Sequence, residues 1–166
     1  MFKTAKRIIN FKTLFIIFIY IFIKSDKKNF TTYEIKEESM ATSLLEGDYV
    51  IAIKNSNEIN RGDILIFNNL EKNIDVVKRV IGLPRESIKS ENGVVSINND
   101  STLDVWGKSL TDNFTSQTLG DNEVFVLGDQ RKISTSDSRT LGPISLENCW
   151  KVKYRYWPIY RIKSYE

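Results

Sequence analysis

The chain has 166 residues, of which 41% are hydrophobic and 27% charged, enough for one domain with a small appendage. A net charge of +3, with Lys and Arg scattered among acids, excludes a nucleic-acid surface. The absence of histidine excludes Ser-His-Asp and Cys-His catalysis and removes the commonest zinc ligand, and the single cysteine, Cys149, excludes an internal disulfide.

From Ile8 to Ile23 the chain reads "IINFKTLFIIFIYIFI", apolar except for Asn10, Lys12 and Thr13, between Lys6-Arg7 and Lys24. The run is short for a bilayer core of about 30 Å, but flanking lysines can snorkel. It predicts a transmembrane anchor over residues 8–24 behind a short N-terminus, residues 1–7. The rival is a cleaved signal peptide, which needs a small-residue exit, whereas this run ends in "IKSDKKNF". Basic residues flank both ends, so charge alone does not orient the anchor. Residues 25–32, "SDKKNFTT", are polar and predict a linker.

Beyond the linker the pattern is that of strands. "YVIAIK" and "DILIF" are short, β-branched and aromatic. "DVVKRVIGLP" is apolar on both faces with two basic residues inside it. "SIKSENGVVSIN" sets Asn-Gly between two alternating runs, a strong hairpin signal. "NEVFVLGD" and "CWKVKYRYW" supply further strands, whereas the polar residues 98–120 predict an excursion from the main sheet. The fold class is mostly β. The C-terminal aromatics Tyr154, Tyr156, Trp157 and Tyr160 suit a final core strand better than a rest on the membrane interface.

Without histidine, any nucleophile must be served by Lys, Asp or Glu. Ser39 follows "KEE" and precedes a short apolar turn, and by itself reads as a turn residue or cap as readily as a nucleophile. Lys78 shares a strand face with Val76 and Val80, whereas Val77, Arg79 and Ile81 share the other. Poor solvation among valines disfavours the charged amine and makes Lys78 a candidate general base; the competing reading is a strand-edge lysine with its head in water. Arg79 cannot serve, because guanidinium stays protonated. "GDQRKISTSDSR", residues 128–139, is a polar loop in which Asp137 and Arg139 are placed to pair.

In sequence order, "SMATSLLEGDYVIAIK", "RGDILIF", "VVKRVIGLP", "FVLGDQRKISTSDSRTLG" and "KYRYWPIYRI" resemble the boxes of the bacterial type I signal peptidases. These are membrane-anchored Ser/Lys proteases that remove signal peptides from exported proteins, and the anchor and compact core resemble a Gram-positive member. The resemblance implies Ser39 as nucleophile and Lys78 as general base, with Met40 packing the substrate cleft. It implies Asp137 and Arg139 as a supporting ion pair and Asp129 in the preceding box. It further implies a β-sheet catalytic domain over 33–166, with a smaller β excursion near 85–125, held outside the cytoplasmic membrane on its single anchor. No metal or cofactor is implied. The implied partners are signal peptides of exported preproteins, membrane lipid and pilus or secretion components, and not nucleic acid.

The chain departs from the family pattern at several places. Thr42 stands where the family has proline, Arg85-Glu86 replaces Gly-Asp, and Gln130 replaces asparagine. One extra residue before Asp137 leaves the serine that supports the lysine at Ser134 counted from Gly128, or at Thr135 counted back from Asp137; Ser134 ranks first. Glu37 occupies the position of a glycine or an oxyanion-hole serine. Were "KEES" extended, Glu37 would lie on the Ser39 side and repel an oxyanion, so Glu37→Ser would speed cleavage. Some signal-peptidase-like proteins serve pilus assembly without proteolysis, but their sign is loss of the Ser or the Lys, and both stand here. A plain β-rich adhesin would leave the ordered boxes unexplained.

Overall fold

The structure is a computed structural model that describes residues 29–54 and 58–165. The predicted anchor and N-terminus lie outside the described residues, and among the described residues no helix is long and apolar enough to cross a membrane. In chain order come β1 (Phe30–Glu34), β2 (Tyr49–Lys54), β3 (Ile64–Asn69) and β4 (Ile74–Gly82). Next are β5 (Ser87–Glu91), β6 (Val94–Ile97), β7 (Phe114–Thr118) and β8 (Glu123–Leu127). A single helical turn, α1 (Ser138–Leu141), precedes β9 (Ile144–Ser145), β10 (Trp150–Trp157) and β11 (Lys163–Ser164).

The main sheet has the order β1-β2-β10-β3-β4-β8-β9, with β11 against β10. Both of its faces are covered, which is why β3 reads as a continuous apolar run. Ile64 and Ile66 enter one cluster with Met40, Leu44 and Val50, and Leu65 and Phe67 enter another with Val76, Val80 and Val126. Lys78 pairs with Leu65 across the β3–β4 ladder, so it belongs to the Val76 and Val80 face, as alternation predicts. The excursion is a second sheet, β6-β5-β7, joined to the first by a third cluster that includes Ile81, Ile88 and Phe125. Its β5–β6 turn is the Asn-Gly pair: Asn92 and Gly93 have φ of 52° and 82°, as a primed turn requires.

Three expectations change. The linker ends early, because Phe30 to Thr32 already belong to β1, an edge strand whose half-exposed face tolerates threonine. β7 arises inside the polar segment, where "FTSQT" borrows order from β5 and from Phe114 stacked on Phe125 at 5.0 Å. The C-terminal stretch does form β10, but its core contribution is Lys151, Val152 and Arg155, whereas Tyr154, Tyr156 and Trp157 stay exposed. Pairing with β2 fixes the strand without burying those rings.

Candidate active site

Glu37 is extended (φ −122°, ψ 151°), and the chain then closes into a 3-10 turn over Glu38–Met40. That turn buries Ser39 and Met40, Met40 going into the first core cluster. Gln130 fastens it from the opposite loop: its N–H donates to Ser39 O at 3.0 Å and its side-chain amide donates to Ala41 O at 2.9 Å. The glutamine in place of asparagine thus still grips the turn.

Lys78 comes to this turn from the middle of β4 and is 1% exposed. Its Nζ donates to Ser39 Oγ and to Val77 O, both at 2.9 Å, and lies 3.7 Å from Glu37 Oε2. Burial pushes the ammonium below the ordinary lysine value, and the carboxylates of Glu37 and Asp137 pull it part of the way back. The pair therefore has the geometry for proton transfer from the hydroxyl whenever the amine is neutral.

Glu37 lies on the Ser39 side, as alternation suggests, and both line one cleft, but its half-exposed carboxylate is turned to the Lys78 ammonium. The contact this carboxylate makes is thus attraction to a cation, and the oxyanion repulsion expected from the sequence is not its first effect on the site.

Asp137 caps α1, accepting from Arg139 N, and also takes the Arg139 guanidinium at 3.0 and 2.9 Å. Burial raises its carboxyl, but the hydrogen bonds from Arg139 and Ser134 and the charge of Arg139 outweigh that and hold it below the usual range. Arg139 also donates to the carbonyls of Arg131 and Ser134, closing the loop on itself. Ser134 is buried and donates to Asp137 Oδ2 at 2.6 Å, whereas Thr135 is exposed.

Gly128 explains how that loop comes so near. A Cβ there would stand 2.5 Å from Ser134 Cβ and Oγ and 3.0 Å from Ser39 O. Gly128→Ala is expected to push the Ser134 loop off the Ser39 turn. It should cost about 1–3 kcal/mol of stability, and thermal melting beside a peptide-cleavage assay checks it. A melting temperature and rate equal to the wild type would show that the loop absorbs the methyl freely.

Asp129 is not directed at Ser39 or Lys78. It takes Arg79 Nε and Nη2 at 2.7 Å each, both buried, and Ser43 Oγ at 2.6 Å, partly buried. Arg79 completes the unit by donating to Gly62 O and Ser43 Oγ. Sequence reasoning missed this partnership, although a signal existed: a buried arginine in an apolar strand needs a carboxylate, and Asp129 follows the strand that pairs with β4.

A cleft of about 510 Å³ opens beside the pair. Residues 32–37, Ser39 and Met40 form one wall, and Ile74, Asp75 and Val77 of β4 form the other. A depression of about 540 Å³ between the β3–β4 turn and Leu141 to Ser145 is lined by neither Ser39 nor Lys78.

The family described as signal peptidase, peptidase S26, matches residues 7–157. A signal peptidase I of Bacillus caldolyticus is 34% identical over 148 residues, covering 78% of this chain and 80% of the relative. Signal peptidase IB of Staphylococcus aureus strain COL is 30% identical over 169 residues, covering 88% and 87%. Among solved structures, a signal peptidase I from Enterococcus faecalis V583 superposes with a TM-score of 0.51 at 27% identity, over 59% of this chain and 98% of its own. A buried serine and lysine in contact, on a mostly β scaffold, thus accompany a match along most of the sequence, and the chain belongs to the signal peptidase family, peptidase S26.

Proposed function

We propose that the chain is a serine endopeptidase that cleaves signal peptides from exported preproteins, with Ser39 as nucleophile and Lys78 as general base. The observation that carries this reading is the 2.9 Å contact between Lys78 Nζ and Ser39 Oγ at a site where the lysine is almost wholly buried. Neutral Lys78 accepts the hydroxyl proton as Ser39 Oγ attacks the scissile carbonyl. The same proton passes to the leaving amine as the tetrahedral intermediate collapses to an acyl-enzyme. Water, giving its proton to Lys78, then releases the acyl group and restores Ser39.

Each remaining residue supports that sequence of steps. Asp137, Ser134 and Arg139 fix the loop against which the lysine is packed. Asp129 and Arg79 brace the turn from behind, and Met40 closes the floor of the cleft. Glu37 has no donor when ionised, so stabilisation of the oxyanion falls to main-chain N–H groups. The substrate docks extended in the cleft, its small side chains entering beside Met40. The segment 8–24 anchors the enzyme in the cell membrane as a single pass, with the catalytic domain on the extracytoplasmic side. Retention of both Ser39 and Lys78 favours proteolysis over a non-proteolytic role in pilus assembly.

The test is incubation of the purified full chain, in detergent micelles, with an exported preprotein, the masses of the products being read directly. Loss of the leader after a small residue supports the proposal, and an intact preprotein at all pH values overturns it. The same assay gives the pH dependence. Because burial lowers the Lys78 pKa, the neutral base is present above a pH below the ordinary lysine value and is lost as pH falls through the lowered pKa. The rate is therefore expected to rise and reach a plateau before free lysine would titrate, near about 10.4. A rate still climbing in parallel with free lysine would show a solvated base.

A further inference from the structure

Among the described residues Glu37 is the one cleft carboxylate in ionic contact with the general base, and none of the proposed catalytic steps uses it. Its side chain is 53% exposed, whereas that of Lys78 is 1% exposed, so one partner of the 3.7 Å pair is fixed and the other is free to leave. The surrounding charges are otherwise committed. On β4, Arg79 is bound by Asp129, and beyond the strand Lys72 reaches Ser136. From the loop before α1, Asp137 faces Lys78 but carries Arg139 on its oxygens. Beside Glu37, Lys36 pairs with Glu34, Glu38 begins the 3-10 turn, and Asp75 faces the cleft from β4, where it adds to the rise of the Tyr33 pKa. Glu37 is therefore the mobile counter-charge of the base.

We propose that Glu37 is a positioning residue for the general base: its carboxylate pairs with Lys78 while the cleft is empty and gives way when a peptide fills it. Glu37 is itself part of the cleft wall, so an extended peptide lying between residues 32–37 and the start of β4 takes the space its carboxylate occupies. Once Glu37 swings out, the buried ammonium has lost its nearby mobile partner, and its proton passes to bulk water. The neutral amine left behind faces Ser39 Oγ, ready to accept the hydroxyl proton. Substrate binding thus helps to make the base, and the empty enzyme keeps Lys78 protonated and Ser39 quiet.

The inference rests on the assignment of Ser39 and Lys78. It is tested by the pH dependence of kcat/KM, which follows the free enzyme, against that of kcat, which follows the enzyme–substrate complex. In the wild type the acidic limb of kcat is expected at lower pH than that of kcat/KM. Glu37→Gln should close this gap by moving only the kcat/KM limb downward, which raises kcat/KM on that limb about three- to tenfold. Glu37→Asp, which keeps the charge, should stay nearer the wild-type profile than Glu37→Gln does. A kcat/KM limb that Glu37→Gln leaves in place overturns the proposal, and so does a kcat limb that moves by the same amount. Activity surviving in Lys78→Ala would instead remove the dyad, so failure of this inference and failure of the catalytic assignment give different results.

Discussion

Lys78→Ala and Ser39→Ala are each expected to abolish preprotein cleavage, with a loss on the order of 10⁴-fold or more, because members of a catalytic unit act together. No histidine exists to take over the proton, and Arg79, the neighbouring base type on β4, is locked to Asp129 and stays charged. The fold should survive both substitutions. Among the described residues Ser39 carries no hydrogen bond through its hydroxyl beyond the one to Lys78, and removing the lysine removes a costly buried ammonium along with its packing. Circular dichroism and melting temperature beside the cleavage assay separate chemistry from folding. A Lys78→Ala protein that is folded and keeps a tenth of the wild-type rate would refute the assignment.

How far the sequence reached can be seen from the same residues. The strand face of Lys78 was legible from alternation, which is local, whereas its contact with Ser39 was suggested only by the order of the boxes along the whole chain. Asp137 and Arg139 were legible because two residues of separation before a helical turn suffice for a cap and an ion pair. Which of Ser134 and Thr135 is buried beside Asp137 was not, because an extra loop residue can be absorbed on either side. Alternation put Glu37 on the Ser39 side, where it stands, but its pairing with Lys78 was hidden, because β4 is distant in sequence. β7 lacked a signal of its own, since its polar sequence forms a strand only by pairing with β5.

Asp129→Ala is expected to have the largest effect on stability. The Arg79 guanidinium is 6% exposed and the Asp129 carboxylate 2% exposed, and the two make parallel contacts of 2.7 Å. Removing the carboxylate strands a buried cation, at a cost of about 3–5 kcal/mol against a total stability of roughly 5–15 kcal/mol. For a domain of this size the melting temperature should fall by roughly 10 °C. Asp121→Ala is the comparison, because Asp121 pairs with Arg85 at 2.6 Å but both side chains are 78% exposed, and water screens the loss. Replacing both partners, Arg79→Met with Asp129→Leu, should recover much of the stability, since the penalty comes from the unpaired charge and not from the missing bond. Cleavage should fall with stability in the single variant, because Gln130, next in the chain, holds Ser39 O and Ala41 O. An Asp129→Ala protein that melts no lower than Asp121→Ala would mean that water reaches Arg79, and the bracing of the Ser39 turn from behind would then have to come from Gln130 alone.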